Sequence, residues 1–179
     1  MTGRFLEDKK AAKLLKKLSM QGHYVGPHSD QHLLYAPWEN RDSLLLSKEE
    51  FNKDLIANVD KLNKLGVKNI NKFVAPYEWY NTEIAAWSKE LGLDLYNFTP
   101  GLRTAADYTF PEMGKKYMSS DAILKQLLEY ESDKGLNGHM IIIHLGSDPK
   151  RTDKFFNQLE TISQLLKNKN YKFLGLDEL

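Results

Sequence analysis

Stretches of helical apolar spacing alternate with short apolar runs along this chain, and that alternation restricts the fold more than any other feature of the sequence. Ala11, Leu14, Leu15 and Leu18 recur at i, i+3, i+4 and i+7, the stripe of an amphipathic helix, with Gly22 as its stop. Lys9, Lys10, Lys13, Lys16 and Lys17 occupy the opposite, solvated face. Ser47 opens a second helix with Glu50 three residues on, a capping box, followed by Phe51, Leu55, Val59 and Leu62 and a stop at Gly66. Asn81 caps a third that carries Ile84, Trp87 and Leu91 up to Gly92. Ser120 caps a fourth with Ile123, Leu124, Leu127 and Leu128, and Phe155, Leu159, Ile162 and Leu166 mark a fifth. The runs 23–26, 72–75, 94–98, 140–143 and 171–174 read as short strands, with 140–143 buried on both faces. Segment 100–118 is long and irregular, the kind of loop that is functional or disordered.

Strands separated by helices of this length mean βα units and a parallel sheet or barrel, so the chain is α/β. The first element, however, is a helix with no strand before it, and five strands are too few to close an eightfold barrel. The expectation is the C-terminal part of a larger α/β domain, with residues 1–179 forming a single domain, since no repeat, low-complexity tract or linker divides them.

Composition narrows the chemistry. Twenty-five Lys and Arg against 24 Asp and Glu leave a formal charge of +1, so no strong field draws the chain toward nucleic acid or an anionic membrane. Without cysteine there is no disulfide framework, thiolate zinc site or cysteine nucleophile. No apolar run approaches the roughly 20 residues of a membrane helix, and residues 1–10 lack the apolar core of a signal peptide. Chemistry must come from histidines, carboxylates, hydroxyls or a bound cofactor.

In parallel α/β folds reactive side chains sit at the C-terminal ends of strands and in the loops that follow. Three places qualify. In Gly26-Pro27-His28-Ser29-Asp30-Gln31-His32, two imidazoles four residues apart can share a divalent metal, or be two surface or capping histidines. In Phe73-Val74-Ala75-Pro76-Tyr77-Glu78-Trp79-Tyr80-Asn81, proline forces a turn after the strand. Tyr77, Trp79 and Tyr80 there suit the apolar faces of a sugar ring or acyl group; the other reading is an aromatic cluster covering the core. In Met140-Ile141-Ile142-Ile143-His144-Leu145-Gly146-Ser147-Asp148, a histidine ends an apolar run, where it can exchange protons with a ligand or be hydrogen-bonded structure. His23 and His139, near strand starts, read as structural.

Taken in order, these segments resemble the NodB-homology polysaccharide deacetylases, carbohydrate esterase family four. Gly22-His23 followed by His28-Ser29-Asp30-Gln31-His32 is similar to that family's His-Ser/Thr-x-x-His motif and its Gly-His lead-in. Ala75-Pro76-Tyr77 is similar to its Pro-Tyr motif, and Ile142-Ile143-His144 to its Leu-x-His motif. The resemblance covers nearly the whole chain and implies a distorted (β/α)-barrel, TIM-like with fewer than eight repeats and here missing its first strands. It gives His28 and His32 the role of metal ligands, His144 that of the acid protonating the leaving amine, and Tyr77 that of an oxyanion donor through its backbone N–H. Further substrate contacts are expected from Pro76, Trp79, Tyr80 and Ile142.

The chain departs from the family pattern in three ways. No Asp-Asp pair precedes His28, although the family takes its third metal ligand and its general base from one. An upstream in-frame segment carrying that pair is therefore expected. Val74 stands where the family has arginine, and no aspartate near Tyr96-Asn97-Phe98 matches the family's fourth motif. Asp30, Glu78 and Asp148 lie close enough to the motifs to substitute for missing carboxylates, or are solvated loop carboxylates.

These readings imply a metal-dependent hydrolase removing acetyl groups from N-acetylated, or O-acetylated, saccharides. Zinc is the expected metal, with cobalt or nickel as alternatives, bound weakly by two imidazoles alone. The chain itself is expected to be inactive for want of the Asp-Asp pair. A reading from another class is a non-catalytic saccharide-binding relative. The expected partner is an acetylated saccharide, not nucleic acid and not a membrane, with self-association through an open barrel edge. His28, His32, Tyr77 and His144 should gather at one end of the strands.

Overall fold

The computed structural model describes residues 1–178. The chain packs as two compact units, Met1–Asn97 joined by the chain from Leu174 on, and Phe98–Phe173.

The first unit is built from α1 (Gly3–Leu6), α2 (Lys9–Met20), α3 (Lys48–Lys64), β1 (Lys72–Val74), α4 (Thr82–Glu90) and β2 (Asp94–Tyr96). Each long helix starts where a side-chain oxygen can accept the orphan N–H groups of its first turn. Asp8 accepts from Lys10 and Ala11, Asn81 from Ile84, and Ser47 with Glu50 forms the full reciprocal capping box. Gly66 closes α3 in the left-handed region at φ 89°, which a side chain would resist. The α3 stripe buries Phe51 and Leu55 against Tyr35, Phe73, Ala75, Ile84 and Leu93, while Leu62 joins Leu6, Leu15, Val25 and Val67. Leu14, expected on the inner face of α2, is instead 53% exposed; α2 buries only Leu15, because its neighbours cover a narrower stripe than its spacing offers.

β1 and β2 pair in parallel with Lys72 opposite Asp94, Phe73 opposite Leu95 and Val74 opposite Tyr96. Both end earlier than the apolar runs 72–75 and 94–98 suggest, since Pro76 starts a 3₁₀ turn and cannot donate to a ladder. The run 23–26 forms no strand. The Tyr24 hydroxyl accepts from the Asn71 and Lys72 N–H groups at 3.2 and 2.7 Å and donates to the Lys72 carbonyl at 2.8 Å. A side chain thus satisfies the backbone groups that a neighbouring strand would have paired.

The second unit carries α5 (Ser120–Lys134) and α6 (Leu159–Asn168), the latter entered through a 3₁₀ turn over Phe155–Gln158. Ile123, Leu127, Phe155, Ile162 and Leu166 form its core with Leu102, Ala106 and Leu136. The α5 cap is Ser119, one residue before the expected Ser120, because Ser120 is engaged by Asp153 through both N–H and hydroxyl. The irregular stretch 100–118 is ordered by two 3₁₀ turns, Thr104–Tyr108 and Pro111–Lys116. Fully buried Arg151 ties it down, donating to the Thr109 and Met118 carbonyls at 2.7 and 2.9 Å and to the Ser120 hydroxyl at 3.0 Å.

The runs 140–143 and 171–174 are not strands among the described residues. Thr99 N–H donates to the Met140 carbonyl and Met140 N–H to Thr99 Oγ1, both at 3.0 Å. One rung of that pair is a side chain, so no ladder propagates. Ile141 and Ile143 are only half-buried, packed on the rim of the core. Tyr171 is held by its hydroxyl, which accepts from Leu136 N–H and donates to Glu131, and Phe173 beyond it is exposed.

Candidate active site

The first unit assembles the His-x-x-x-His loop around a carboxylate supplied by α3. Buried Asp54 accepts the Ser29 hydroxyl at 2.6 Å, the Asp30 N–H at 3.0 Å and the Gln31 N–H at 2.9 Å. One turn further along, Asn58 Oδ1 accepts the His28 N–H at 2.9 Å. These bonds hold a turn in which Ser29 and His32 both lie in the left-handed region, at φ 68° and 59°. Such backbone costs about 1–2 kcal/mol per residue and persists only where its surroundings fix it. From the other side, Gly3 and Arg4 donate N–H groups to the Ser29 and Asp30 carbonyls. A Cβ on Gly3 would collide with the Asp30 carboxylate, so only glycine allows this approach.

The turn sets the two histidines side by side, ring centroids 5.1 Å apart and tilted by 57°. His28 Nδ1 lies 2.7 Å from the Val74 carbonyl at the end of β1. A carbonyl only accepts, so Nδ1 carries the proton and Nε2 the lone pair, the tautomer that a metal ligand needs. Tyr77 meets His32 edge-on at 4.5 Å. Tyr77 and the following Glu78 are left-handed as well, at φ 61° and 52°, in the 3₁₀ turn that Pro76 opens. The structure therefore brings His28, His32 and Tyr77 together. Trp38 joins them, edge-on to Tyr77 at 5.6 Å and tilted against Trp79 at 5.5 Å, while Arg41 covers Trp79 and Tyr80.

Two of the three candidate carboxylates, Asp30 and Asp148, are engaged elsewhere. Asp30 is not the solvated loop residue its sequence setting suggests: it is 6% exposed, paired with Lys61 at 2.8 Å, and accepts from Gln31 Nε2 at 2.7 Å. Its hydrogen bond to Asp30 raises the Lys61 ammonium above the ordinary lysine value. Asp148 is exposed and closes its own turn, accepting the Lys150 N–H at 2.9 Å. Glu78 is half-buried, and its carbonyl accepts from Asn97 at 3.2 Å.

The second unit holds His144 and a partner that the sequence reading missed. Asp107, 1% exposed, accepts the His144 backbone N–H at 2.7 Å and its ring Nδ1–H at 2.5 Å. Tyr108 flanks the imidazole edge-on at 6.0 Å. The fourth-motif aspartate was sought near Tyr96-Asn97-Phe98; the carboxylate on His144 lies ten residues further, inside the 3₁₀ turn over Thr104–Tyr108. Nothing local marks Asp107 out from the other charges of that loop, Arg103, Glu112, Lys115 and Lys116. Ile142 sits half-buried just before His144. His139 packs edge-on against Tyr130 at 5.5 Å, in keeping with a structural role.

The family model for polysaccharide deacetylase matches residues 1–96, more than half of the chain and including the whole His-x-x-x-His loop and the Pro-Tyr turn. The chain belongs to the polysaccharide deacetylase family. Its fold is similar to that of a peptidoglycan N-acetylglucosamine deacetylase in complex with 4-naphthalen-1-yl-N-oxidanyl-benzamide, at TM-score 0.71 and 18% identity, covering 95% of this chain and 69% of that one. A family 4 carbohydrate esterase from Streptomyces lividans in complex with acetate gives 0.65 and 17%, covering 94% and 72%. A pseudoenzyme of carbohydrate esterase family four from Bacillus anthracis gives 0.63 and 18%, covering 96% and 51%. The chain thus spans between half and seven-tenths of the length of these structures. No curated protein sequence matches it significantly. The fold is the α/β, TIM-like type of this deacetylase family, here with few strands. No helix among the described residues is long and apolar enough to cross a membrane.

Two adjacent imidazoles, one with its Nδ1 proton already committed, are a donor set that suits zinc or a similar divalent ion. Among the described residues no group of three His, Cys, Asp or Glu side chains is assembled for a metal, since Asp30 is engaged by Lys61. The polysaccharide deacetylase site of this chain fits a metal as a two-histidine half-site.

Proposed function

We propose that this chain is a metal-dependent hydrolase that removes acetyl groups from N-acetylated, or O-acetylated, saccharides. The observation that supports the reading is the His28 Nδ1–Val74 carbonyl bond, which orients the His28 ring, with the His32 and Tyr77 rings alongside. A divalent ion held by His28 and His32 would supply Lewis-acid polarisation of the acetyl carbonyl. In the hydrolysis, water adds to that carbonyl, the C–N bond breaks, the amine leaves with an added proton and acetate is released. His144 is the proton donor to the leaving amine, and Asp107 orients its ring. The backbone N–H of Tyr77, fixed by the strained turn, donates to the carbonyl oxygen as negative charge builds there. Buried Pro76 opens the turn that carries Tyr77, and half-buried Ile142 lies two residues before His144.

The chain contains no Asp-Asp pair, and its nearest spare carboxylate is bound to a lysine. Those two facts favour a second reading, a non-catalytic saccharide binder; a positioned base is worth roughly 10²–10⁴-fold in rate. Titration calorimetry with zinc, together with acetate release from chitooligosaccharides, tests both. Weak zinc binding that His28→Ala abolishes supports the half-site, and acetate release that His144→Ala abolishes supports the enzyme. Zinc binding indifferent to both His28→Ala and His32→Ala overturns the metal reading. Saccharide binding without acetate release favours the binder.

A further inference from the structure

Trp38 is among the chain's most exposed large apolar side chains, at 54%, yet the loop that carries it is tightly held. Trp79 Nε1–H donates to the Pro37 carbonyl at 3.3 Å, and Asn81 Nδ2 donates to the Arg41 and Ser43 carbonyls at 3.1 and 3.3 Å. Arg41 stacks its guanidinium over the Trp79 ring at 4.5 Å while its Nε–H donates to the Tyr80 carbonyl. Trp79 thus backs Trp38, and Arg41 in turn packs on Trp79 and Tyr80. Its indole stands at 82° to Tyr77 and 37° to Trp79, the corner of an aromatic wall that runs on to His32.

We infer that Trp38, buttressed by Trp79 and Arg41 and cornered by Tyr77, is a stacking platform for a pyranose ring of the oligosaccharide, beyond the sugar whose acetyl group the histidine cluster handles. The inference rests on the saccharide reading above and adds a subsite to it. Three features select a sugar over a protein partner. The apolar surface is a few rings across, well short of the several hundred Å² of a protein-docking patch. The residues after it, Glu39, Asn40, Arg41 and Asp42, are all exposed and supply a rim of donors and acceptors for hydroxyl groups. The wall is continuous with the Tyr77–His32 contact, so a chain threaded to the histidines passes over it. A tryptophan carries large contact area on only two rotatable bonds, and with its loop pinned little order remains to be imposed on binding.

The test is calorimetric titration of the metal-free full chain with tetra-N-acetylchitotetraose and with N-acetylglucosamine, for the native sequence, Trp38→Ala and Trp38→Phe, with acetate release measured in parallel in the presence of zinc. The expected result is roughly tenfold weaker tetrasaccharide binding for Trp38→Ala, most of it restored in Trp38→Phe, with little change for the monosaccharide. Tetrasaccharide binding by Trp38→Ala that equals native overturns the platform, and leaves the deacetylase reading standing if native chain releases acetate. Loss of binding in Trp38→Ala without acetate release from any chain supports the platform and removes the enzyme reading. Native chain that binds neither sugar overturns both.

Discussion

Asp107 accepts two bonds from one residue, the backbone N–H and the ring Nδ1–H of His144, across 37 positions of sequence. Holding the main chain and the imidazole together removes both ways in which the ring could reorient. With Nδ1 committed to a buried carboxylate, the orientation of the ring is fixed. Val74 does the same for His28 through a neutral carbonyl. The two histidines thus differ in what holds their Nδ1, a buried carboxylate for His144 and a main-chain carbonyl for His28.

Asp107→Asn keeps the shape but replaces a charged acceptor with an amide whose nitrogen cannot accept. The expected outcome is a loss of about 10²–10⁴-fold in kcat for acetate release with KM nearly unchanged. Urea unfolding should show a destabilisation of roughly 1–3 kcal/mol, the cost of a buried hydrogen bond to a charged group. A kcat equal to native would separate Asp107 from the chemistry.

Asp54→Ala leaves the Ser29 hydroxyl and the Asp30 and Gln31 N–H groups without their common acceptor. Stability should fall by about 3–5 kcal/mol, and zinc affinity by 10–100-fold as the histidine turn relaxes. Asp54→Asn retains one acceptor oxygen and should fall between. Denaturant curves and zinc calorimetry on the two variants check this; zinc affinity unchanged in Asp54→Ala, on a folded chain, contradicts it.

Asp30→Ala makes the opposite case. Its carboxylate is committed to Lys61, which keeps Glu7 as a second partner at 3.2 Å. Zinc affinity should be the same as native within error. A drop of tenfold or more would make Asp30 the third ligand.

Asp153 sets an acid limit on the second unit. Burial pushes its carboxyl up, but the Ser120 N–H and the Arg151 guanidinium outweigh burial and hold it below the ordinary aspartate value. A group depressed in the folded state adds stability above its unfolded value of about 3.9, and that stability is lost as pH falls through the folded value. Unfolding followed from pH 6 downward should show stability declining below about pH 4, with a shallower decline in Asp153→Asn. Arg151→Met, which strips five acceptors of their donor, should destabilise by roughly 3–5 kcal/mol at neutral pH.

What the sequence disclosed, and what it hid, divides by range. The Ser47–Glu50 box, the Asn81 cap and the stop at Gly66 are local contracts between residues a few positions apart, and each was readable and formed. The His-x-x-x-His and Pro-Tyr segments were readable as patterns, and the structure places His28, His32 and Tyr77 together. The run 140–143 was misread because apolar residues in a row report burial, while a strand also needs a neighbour with free backbone groups, and Thr99 answers Met140 with a side chain. Asp54, Asn58 and Asp107 were not legible at all. Nothing local distinguishes Asp54 from the other charges of α3, because its three partners lie more than 20 residues away.

Those anchors also determine how the molecule breathes. A turn with two left-handed non-glycine residues has no stability of its own, and everything that keeps it in shape comes from α3, the end of β1 and the Gly3–Arg4 backbone. Fraying of α3 and disassembly of the histidine pair are therefore one cooperative opening, a single foldon in hydrogen-exchange terms. The amides of Asp30 and Gln31, though placed in a loop, should exchange as slowly as the middle of a helix, and any ligand that slows one should slow the other to the same degree.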